Sequence, residues 1–535
     1  METMNVAWWR GAVIYQIYPR SFADSNGDGI GDLPGITAHL DYVAGLGVDA
    51  VWLSPFFTSP MADYGYDVAD YRDVDPIFGT LADFDALLAR AHALGLKVII
   101  DQVYAHTSDA HAWFAESRSN RTNPKADWYV WADAKADGTP PSNWQSVFGG
   151  PAWTWDARRG QYYMHNFLKE QPQLNVHNVA VQDALLDVAK FWLDRGVDGF
   201  RLDALNFAFH NRALTDNPPV PPGKNAPLVR TRPFDFQLKI NNMSQPELVP
   251  FVERIRLLFD QYDDRFTVAE VGGDDAEQEM KLLTAGEKRL NTAYSFAFLH
   301  QDRPTQQLIA EVLGKWPDIP GQGWPSWAFS NHDAPRVVSR WGGIDDYDAR
   351  AKLYIMLLLA LRGNPFIYQG EELGLPQADV PYERLLDPEA IANWPLTQGR
   401  DGARTPMPWT ANAPHAGFST VEPWLPIDPQ HLNRAVHAQE DQADSVLSFT
   451  RQMVALRQGS LALKQGSIDF IATLTGALVF ERHVAGETLV CVFNLGDTVV
   501  EDHPRTGWQV LVTLNGATGE GGALPPLSGY IARKA

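Results

Sequence analysis

Short, almost wholly apolar runs alternate with helical-period segments along most of this chain, and that alternation limits the folds open to it. The runs begin at residues 13, 48, 96, 197, 266, 290, 324 and 364. Strands that are apolar on both faces need cover on both faces, which points to a parallel sheet with helices packed against it. Helical segments at 34–46, 81–94, 181–195, 246–260 and 346–362 separate the runs. Eight such strands predict an α/β chain folded as a (β/α)8 TIM barrel. Residues 1–106 and 175–375 supply the barrel, and 431–460 hold its last helix, at 444–457.

The alternation is interrupted where the composition shifts. Residues 107–174, rich in Trp, Tyr, Asn, Pro and Gly, are too long for a structureless loop and predict an inserted domain. A Pro- and Trp-rich stretch at 376–430 predicts an inserted subdomain, and 211–245, with Pro218-Pro-Val-Pro-Pro222, a surface excursion. From 461 to 535 short β-rich runs (467–473, 477–483, 487–494, 508–513) predict a separate antiparallel β-sandwich domain.

Charge narrows the partners. With 44 Lys and Arg against 65 Asp and Glu the formal charge is −21, and no basic cluster offsets it. Nucleic acid and anionic membranes are thereby disfavoured. A single cysteine, Cys491, excludes an internal disulfide framework and fits a reducing compartment. No secretory apolar stretch follows Met1, and the longest apolar run, Tyr354–Leu361, is far too short to span a bilayer. The expectation is a cytoplasmic protein without membrane association, a monomer or homodimer. The 18 Trp fit either a large core or platforms for the apolar faces of sugars.

A barrel of this kind builds its site at the C-terminal ends of its strands. Strand 3 ends in Asp101-Gln-Val-Tyr-Ala-His106, strand 4 in Arg201-Leu-Asp203, strand 5 in Ala269-Glu270 and strand 7 in Ser330-Asn-His-Asp333. Residues two apart on a strand share a face, so Arg201 and Asp203 are expected side by side. Crowded carboxylates split their pKa values: one stays ionised, another keeps its proton, and glycosidic cleavage uses such a pair. Arg201 favours the ionised form of Asp203, which suits a nucleophile. Glu270 has no adjacent cation in sequence and follows an apolar run, which suits an acid/base. Asp333 is expected to hold sugar hydroxyls.

These four segments resemble the signature regions of glycoside hydrolase family 13, the α-amylase superfamily, and the likeness spans essentially the whole chain. It implies a retaining mechanism with Asp203 as nucleophile, Glu270 as acid/base and Asp333 as transition-state stabiliser. His106, Arg201 and His332 would bind the sugar that is cleaved off. Asp63-Tyr-Gly-Tyr66 is similar to the Asp and Tyr that hold a terminal glucose in exo-acting α-glucosidases. Gly399-Arg-Asp-Gly-Ala-Arg-Thr-Pro-Met-Pro-Trp409 resembles the oligo-1,6-glucosidase and maltase motif, in which Arg400 would close the pocket. Phe148 and Phe167 align with aromatic residues lining that pocket. Gln171-Pro-Gln-Leu-Asn175 matches a further signature of the subgroup and is expected at the domain border. The implied substrates are short α-glucosides, with alcohols or sugars as acceptors. Ala204, where the subgroup has Val with α-1,6 preference, points to α-1,4 substrates. The Arg-Leu-Asp-Arg segment of sucrose isomerases has no counterpart here.

A separate loop carries oxygens at every second residue: Asp24, Asn26, Asp28, the Ile30 carbonyl and Asp32. The spacing resembles the start of an EF-hand loop, but Gly35 stands where the bidentate Glu belongs. The resemblance implies one structural divalent cation, calcium or magnesium, and no organic cofactor. Ala105, in place of the amylase calcium-binding Asn, argues against a second metal site.

Overall fold

The computed structural model describes residues 7–222, 232–316, 321–342, 346–397, 399–471, 476–502 and 506–535. Eight parallel strands close a barrel: β1 (Ile14–Ile17), β2 (Ala50–Leu53), β3 (Lys97–Val103), β4 (Gly199–Asp203), β5 (Phe266–Val271), β6 (Thr292–Ser295), β7 (Trp324–Ala328) and β8 (Asn364–Tyr368). Each falls on one of the eight expected runs. β1 pairs with β8 as well as β2, which closes the ring.

Register brings the chemistry together. β3 and β4 pair with Asp101 opposite Arg201, and β4 and β5 with Arg201 opposite Val268. One step beyond the last β4–β5 pair, Leu202 with Ala269, Asp203 and Glu270 stand on adjacent strand ends. β5 and β6 set Glu270 opposite Tyr294. Below this layer the barrel is filled by apolar side chains, among them Ile14, Ile99, Phe266, Val268 and Phe366. The polar groups therefore sit on a dry floor.

The helices pack outside. Helix Val179–Asp194 starts at Asn178, whose side chain accepts from the Ala180 amide, and buries Val181, Leu185, Val188 and Trp192 along one face. The helix expected at 34–46 is two, Leu33–Ala38 and Leu40–Gly45. His39 breaks it with non-helical backbone, its Nδ1 2.9 Å from the Gly35 carbonyl. The last barrel helix runs Val446–Gln458.

Within 107–174 the strands Trp131–Ala132, Gln161–Met164 and Trp153–Asp156 form a small antiparallel sheet in that order. The C-terminal region is a five-stranded antiparallel sheet, in the order Ser467–Phe470, Leu478–Val484, Glu487–Asn494, Ser528–Lys534, Trp508–Leu514. Val500–Asp502 pairs separately with Gly522–Leu524. Ser528–Lys534 was not expected: Gly529 and the basic end hide its alternation, and pairing on both sides defines it. Arg482, wholly buried, fastens this sheet to the barrel by donating to the Ala360 carbonyl, and it holds the carbonyls of Leu463 and Gly466 in its own domain. Residues 223–231 of the excursion and 472–473 of the first expected run lie outside the described residues. No helix among the described residues is long and apolar enough to cross a membrane.

Candidate active site

A cavity of about 470 Å³ opens at the C-terminal ends of the strands. Asp203, Glu270 and Asp333 line it. So do Asp63, Tyr66, His106, Phe148, Phe167 and Arg400, residues brought from four separate parts of the chain. Arg201 and His332 are fully buried, behind the lining rather than in it.

Arg201 is the hub. Its Nη1 lies 2.5 Å from Asp203 Oδ1 and 2.9 Å from Asp101 Oδ1, and its Nη2 lies 2.6 Å from Glu270 Oε1. The Tyr294 hydroxyl accepts from Nη2 at 2.9 Å and donates to Glu270 Oε1 at 3.1 Å. The amide of Ala204 donates to Glu270 Oε2 at 3.1 Å. That amide is aimed by a left-handed turn, Ala204 having φ 39°. Glu270, without a charged neighbour in sequence, thus has the same cation as Asp203. Arg201 does not single out Asp203 for ionisation.

Three carboxylates around one buried guanidinium exceed its charge, so the cluster holds a proton near neutrality and titrates as a unit. Burial raises Asp203 to about 7, with Arg201 opposing and Asp101 adding to the rise. Burial also raises Glu270 to about 7, against Arg201 and with Asp203 and Asp333 assisting. Asp101 rises to about 6 for the same reason, again opposed by Arg201.

Asp333 behaves oppositely. Burial pushes it up, but His332, Arg404 and Arg400 outweigh burial and hold it well below the usual carboxylate range. Burial lowers His332 to about 4, so it is neutral at pH 7 and the two guanidiniums supply the positive charge there. With Gln16 donating to His332 Nδ1 at 2.8 Å, Nε2 carries the proton and faces Asp333 Oδ2 at 3.0 Å. The Tyr66 ring stacks on His332 with 4° between planes.

A second network gathers around Arg400 in the cavity wall. Arg400 Nη2 lies 2.9 Å from Asp63 and 2.7 Å from Asp387. Its Nη1 lies 3.4 Å from Asp333, which Arg404 approaches to 2.7 Å. Phe148 lies under the Arg400 guanidinium at 4.8 Å, and Phe167 contacts Phe148, Phe207 and His106. Gln171, expected at the domain border, lines the cavity instead, with Nε2 3.1 Å from both Asp63 and His106. Its neighbour Gln173 does take the border role, donating to the Phe207 carbonyl.

The sequence reading overlooked Tyr294, Asp387 and Arg404 as site residues. Tyr294 could have been found by the inward alternation of β6. Asp387 reads locally as a helix cap before Pro388, and only the chain path reveals its arginine partner.

The Asp24–Asp32 loop is wound by its own side chains. Asp24, Asn26 and Asp28 each accept the amide two residues on, and Asp32 caps helix Leu33–Ala38 through the Gly35 amide. Among the described residues no three acidic, His or Cys side chains converge into a metal cluster. The donor set, two Asp, one Asn, one carbonyl and a further Asp, is all oxygen and suits in kind a hard cation.

A family model described as alpha amylase, catalytic domain, matches residues 16–466. A probable alpha-glucosidase of Rhizobium meliloti (strain 1021) is 55% identical, over 92% of this chain and 90% of that protein. An oligo-1,6-glucosidase of Heyndrickxia coagulans is 38% identical, over 94% and 95%. Among solved structures, an alpha-glucosyl transfer enzyme, XgtA, superposes with TM-score 0.95 at 51% identity, covering 99% of this chain and 100% of its own. A trehalulose synthase, MutB, superposes with TM-score 0.89 at 33% identity, covering 99% and 100%.

The raised carboxyls imply a pH-dependent cost. A group whose folded pKa exceeds its unfolded value, near 4.3 for Glu, stabilises fully below that value. Its contribution is lost as pH rises through the folded value, about 7 for Glu270. Glu270→Gln should therefore melt higher than wild type at pH 8, with the advantage shrinking by pH 5. Thermal melts at the two pH values check this, and an unchanged difference contradicts it.

Proposed function

This chain belongs to the alpha-amylase family, and on that premise we propose that it is a retaining, exo-acting α-glucosidase with transglucosylation ability. The observation that carries the reading is the pair of carboxylates on the two Nη atoms of one planar guanidinium. That shared anchor suits the close separation, about 5–5.5 Å, at which one carboxylate attacks while the other protonates. Asp203 attacks the anomeric carbon from one face while Glu270 gives its proton to the departing glycosidic oxygen. The covalent glucosyl-enzyme then reacts with water or an alcohol whose proton Glu270 takes back. Asp333, kept ionised by Arg404 and Arg400, holds sugar hydroxyls and stabilises the developing positive charge at the ring. The exo reading assigns to Arg400, ion-paired with Asp63 in the cavity wall, the role of stopping the chain beyond a terminal glucose.

The neighbouring trehalulose synthase MutB, also solved with its substrate sucrose, favours a second reading, an isomerase acting on sucrose. Chromatography of products from maltose and sucrose over time, with and without an alcohol acceptor, separates the two. Glucose and glucosides are expected from maltose; an isomerised disaccharide as main product overturns the reading. Asp203→Asn should lower kcat by at least about four orders of magnitude with maltose binding retained, as loss of a nucleophile does. Substantial hydrolysis by that variant contradicts the assignment.

We assign the linkage preference, α-1,4 over α-1,6, to Ala204. Side-chain bulk beside the aglycone is worth about 1–3 kcal/mol in discrimination. Ala204→Val should shift the kcat/KM ratio toward isomaltose. It should also lower stability, because a branched Cβ crowds the left-handed backbone found there more than the methyl of Ala204 does. No shift in the ratio sinks the assignment.

We also propose that Asp24, Asn26, Asp28, Ile30 and Asp32 hold one calcium or magnesium ion, which would stiffen the turn leading into helix Leu33–Ala38. Chelation should lower the melting temperature by several degrees, restored by either ion; a melt indifferent to chelator excludes the site.

A further inference from the structure

Arg201 reaches Asp203 and Glu270 by different routes. Its Nη1 donates directly to Asp203 Oδ1 at 2.5 Å. Toward Glu270 a tyrosine hydroxyl intervenes. Nε and Nη2 both donate to Tyr294 Oη, at 3.2 and 2.9 Å, and Oη donates to Glu270 Oε1 at 3.1 Å. A hydroxyl has two lone pairs and one hydrogen. The guanidinium takes both lone pairs, so the hydrogen is left to point at the carboxyl. Burial raises the phenol well above its usual value, with Arg201 opposing and Glu270 adding to the rise, and the hydroxyl keeps that hydrogen.

The hydroxyl is held in place by the barrel. β6 pairs with β5 so that Tyr294 stands opposite Glu270, and its buried ring lies near Trp52 and Phe366, with centroids 6.4 and 5.8 Å away. The Nε–Nη2 edge is one of the edges on which a guanidinium pairs with a carboxylate at two points. Tyr294 occupies it. Glu270 is left with one close approach to the cation, Nη2 to Oε1 at 2.6 Å. Asp203 beside it, Asp101 from β3 and Asp333 beyond β7 all disfavour its charge. With the cation at Oε1, the proton of Glu270 belongs on Oε2, whose other side accepts the Ala204 amide.

We propose that Tyr294 is the positioning residue that divides the two catalytic roles: by holding the Nε–Nη2 edge of Arg201 it keeps Glu270 from a two-point ion pair, so that Glu270 stays the proton carrier and Asp203 the ionised partner. The inference deepens the α-glucosidase reading and rests on it. Arg201 alone does not make this choice, because it approaches both carboxylates closely. Tyr294 lies behind the cavity lining on which Asp203 and Glu270 stand, and it acts through the guanidinium rather than on the sugar.

Tyr294→Phe keeps the ring and frees the edge. Glu270 then takes that edge and ionises more readily, which removes the acid and spares the base. Maltose, whose leaving sugar needs a proton, should lose at least about tenfold in kcat/KM at pH 8. 4-Nitrophenyl α-glucoside, whose phenolate departs without a proton, should keep kcat and kcat/KM within about threefold, since ionised Glu270 still activates water. The alkaline limb of the maltose profile, set by Glu270 at about 7, should move to lower pH. A limb that moves to higher pH, as simple loss of a donor to a carboxylate brings, overturns the proposal. Equal losses on both substrates with the limb unmoved overturn it too. In a Glu270→Gln background, where no charge can take the edge, adding Tyr294→Phe should change kcat/KM for either substrate by no more than about twofold. That comparison carries the test if the single variant does not fold, and a larger effect there overturns the proposal. All these failures leave the α-glucosidase reading intact; a wild-type protein that turns over neither glucoside overturns that reading as well.

Discussion

A single guanidinium, that of Arg201, balances the carboxylates of Asp101, Asp203 and Glu270 at the floor of the cavity, Asp101 fully buried and the other two nearly so. An unpaired carboxylate buried this deeply costs several kcal/mol, so none of the three could persist there without it. Nor can one cation neutralise three anions. The surplus charge forces a proton onto the cluster near pH 7, and a site that can hold or release a proton at neutrality is one that can protonate a leaving group and later deprotonate an acceptor.

The rest of the site can be understood as what keeps this arrangement from relaxing. The apolar layer beneath it, with Phe266, Val268 and Phe366, denies the charges a watery retreat. Tyr294 and the Ala204 amide fix Glu270 from two sides, the latter through a left-handed turn that few side chains tolerate. Asp333 feels the cluster but stays ionised beside it: Arg404 and Arg400 hold its charge, and that charge helps raise Asp203 and Glu270. Two carboxyl environments within one cavity follow from two sets of arginines, one supplied by a strand and the other by the insertion after β8.

Much of this was legible beforehand. Apolar runs buried on both faces have few alternatives to a parallel sheet, so all eight strands could be read from hydrophobicity alone. Period-two geometry put Arg201 beside Asp203 without any knowledge of neighbours. What could not be read were partners distant along the chain. Glu270 seemed to lack a cation because its cation sits on the adjacent strand. Gln171 seemed a border residue because the inserted domain folds back over Asp63 and His106. Ser528–Lys534 escaped notice because a strand buried by pairing needs no strong pattern of its own.

The sequence by itself determined the barrel, the family and the identity of the residues at the strand ends, because these depend on local periodicity and on side chains within a few positions of one another. Tertiary structure alone decided which carboxylates share Arg201, that His332 stands neutral behind the wall, and that Arg400 meets Asp63 and Asp387. Those outcomes depend on strand register and on where insertions return to the barrel rim. Electrostatic energy depends on separation in space, and separation along the chain does not report it.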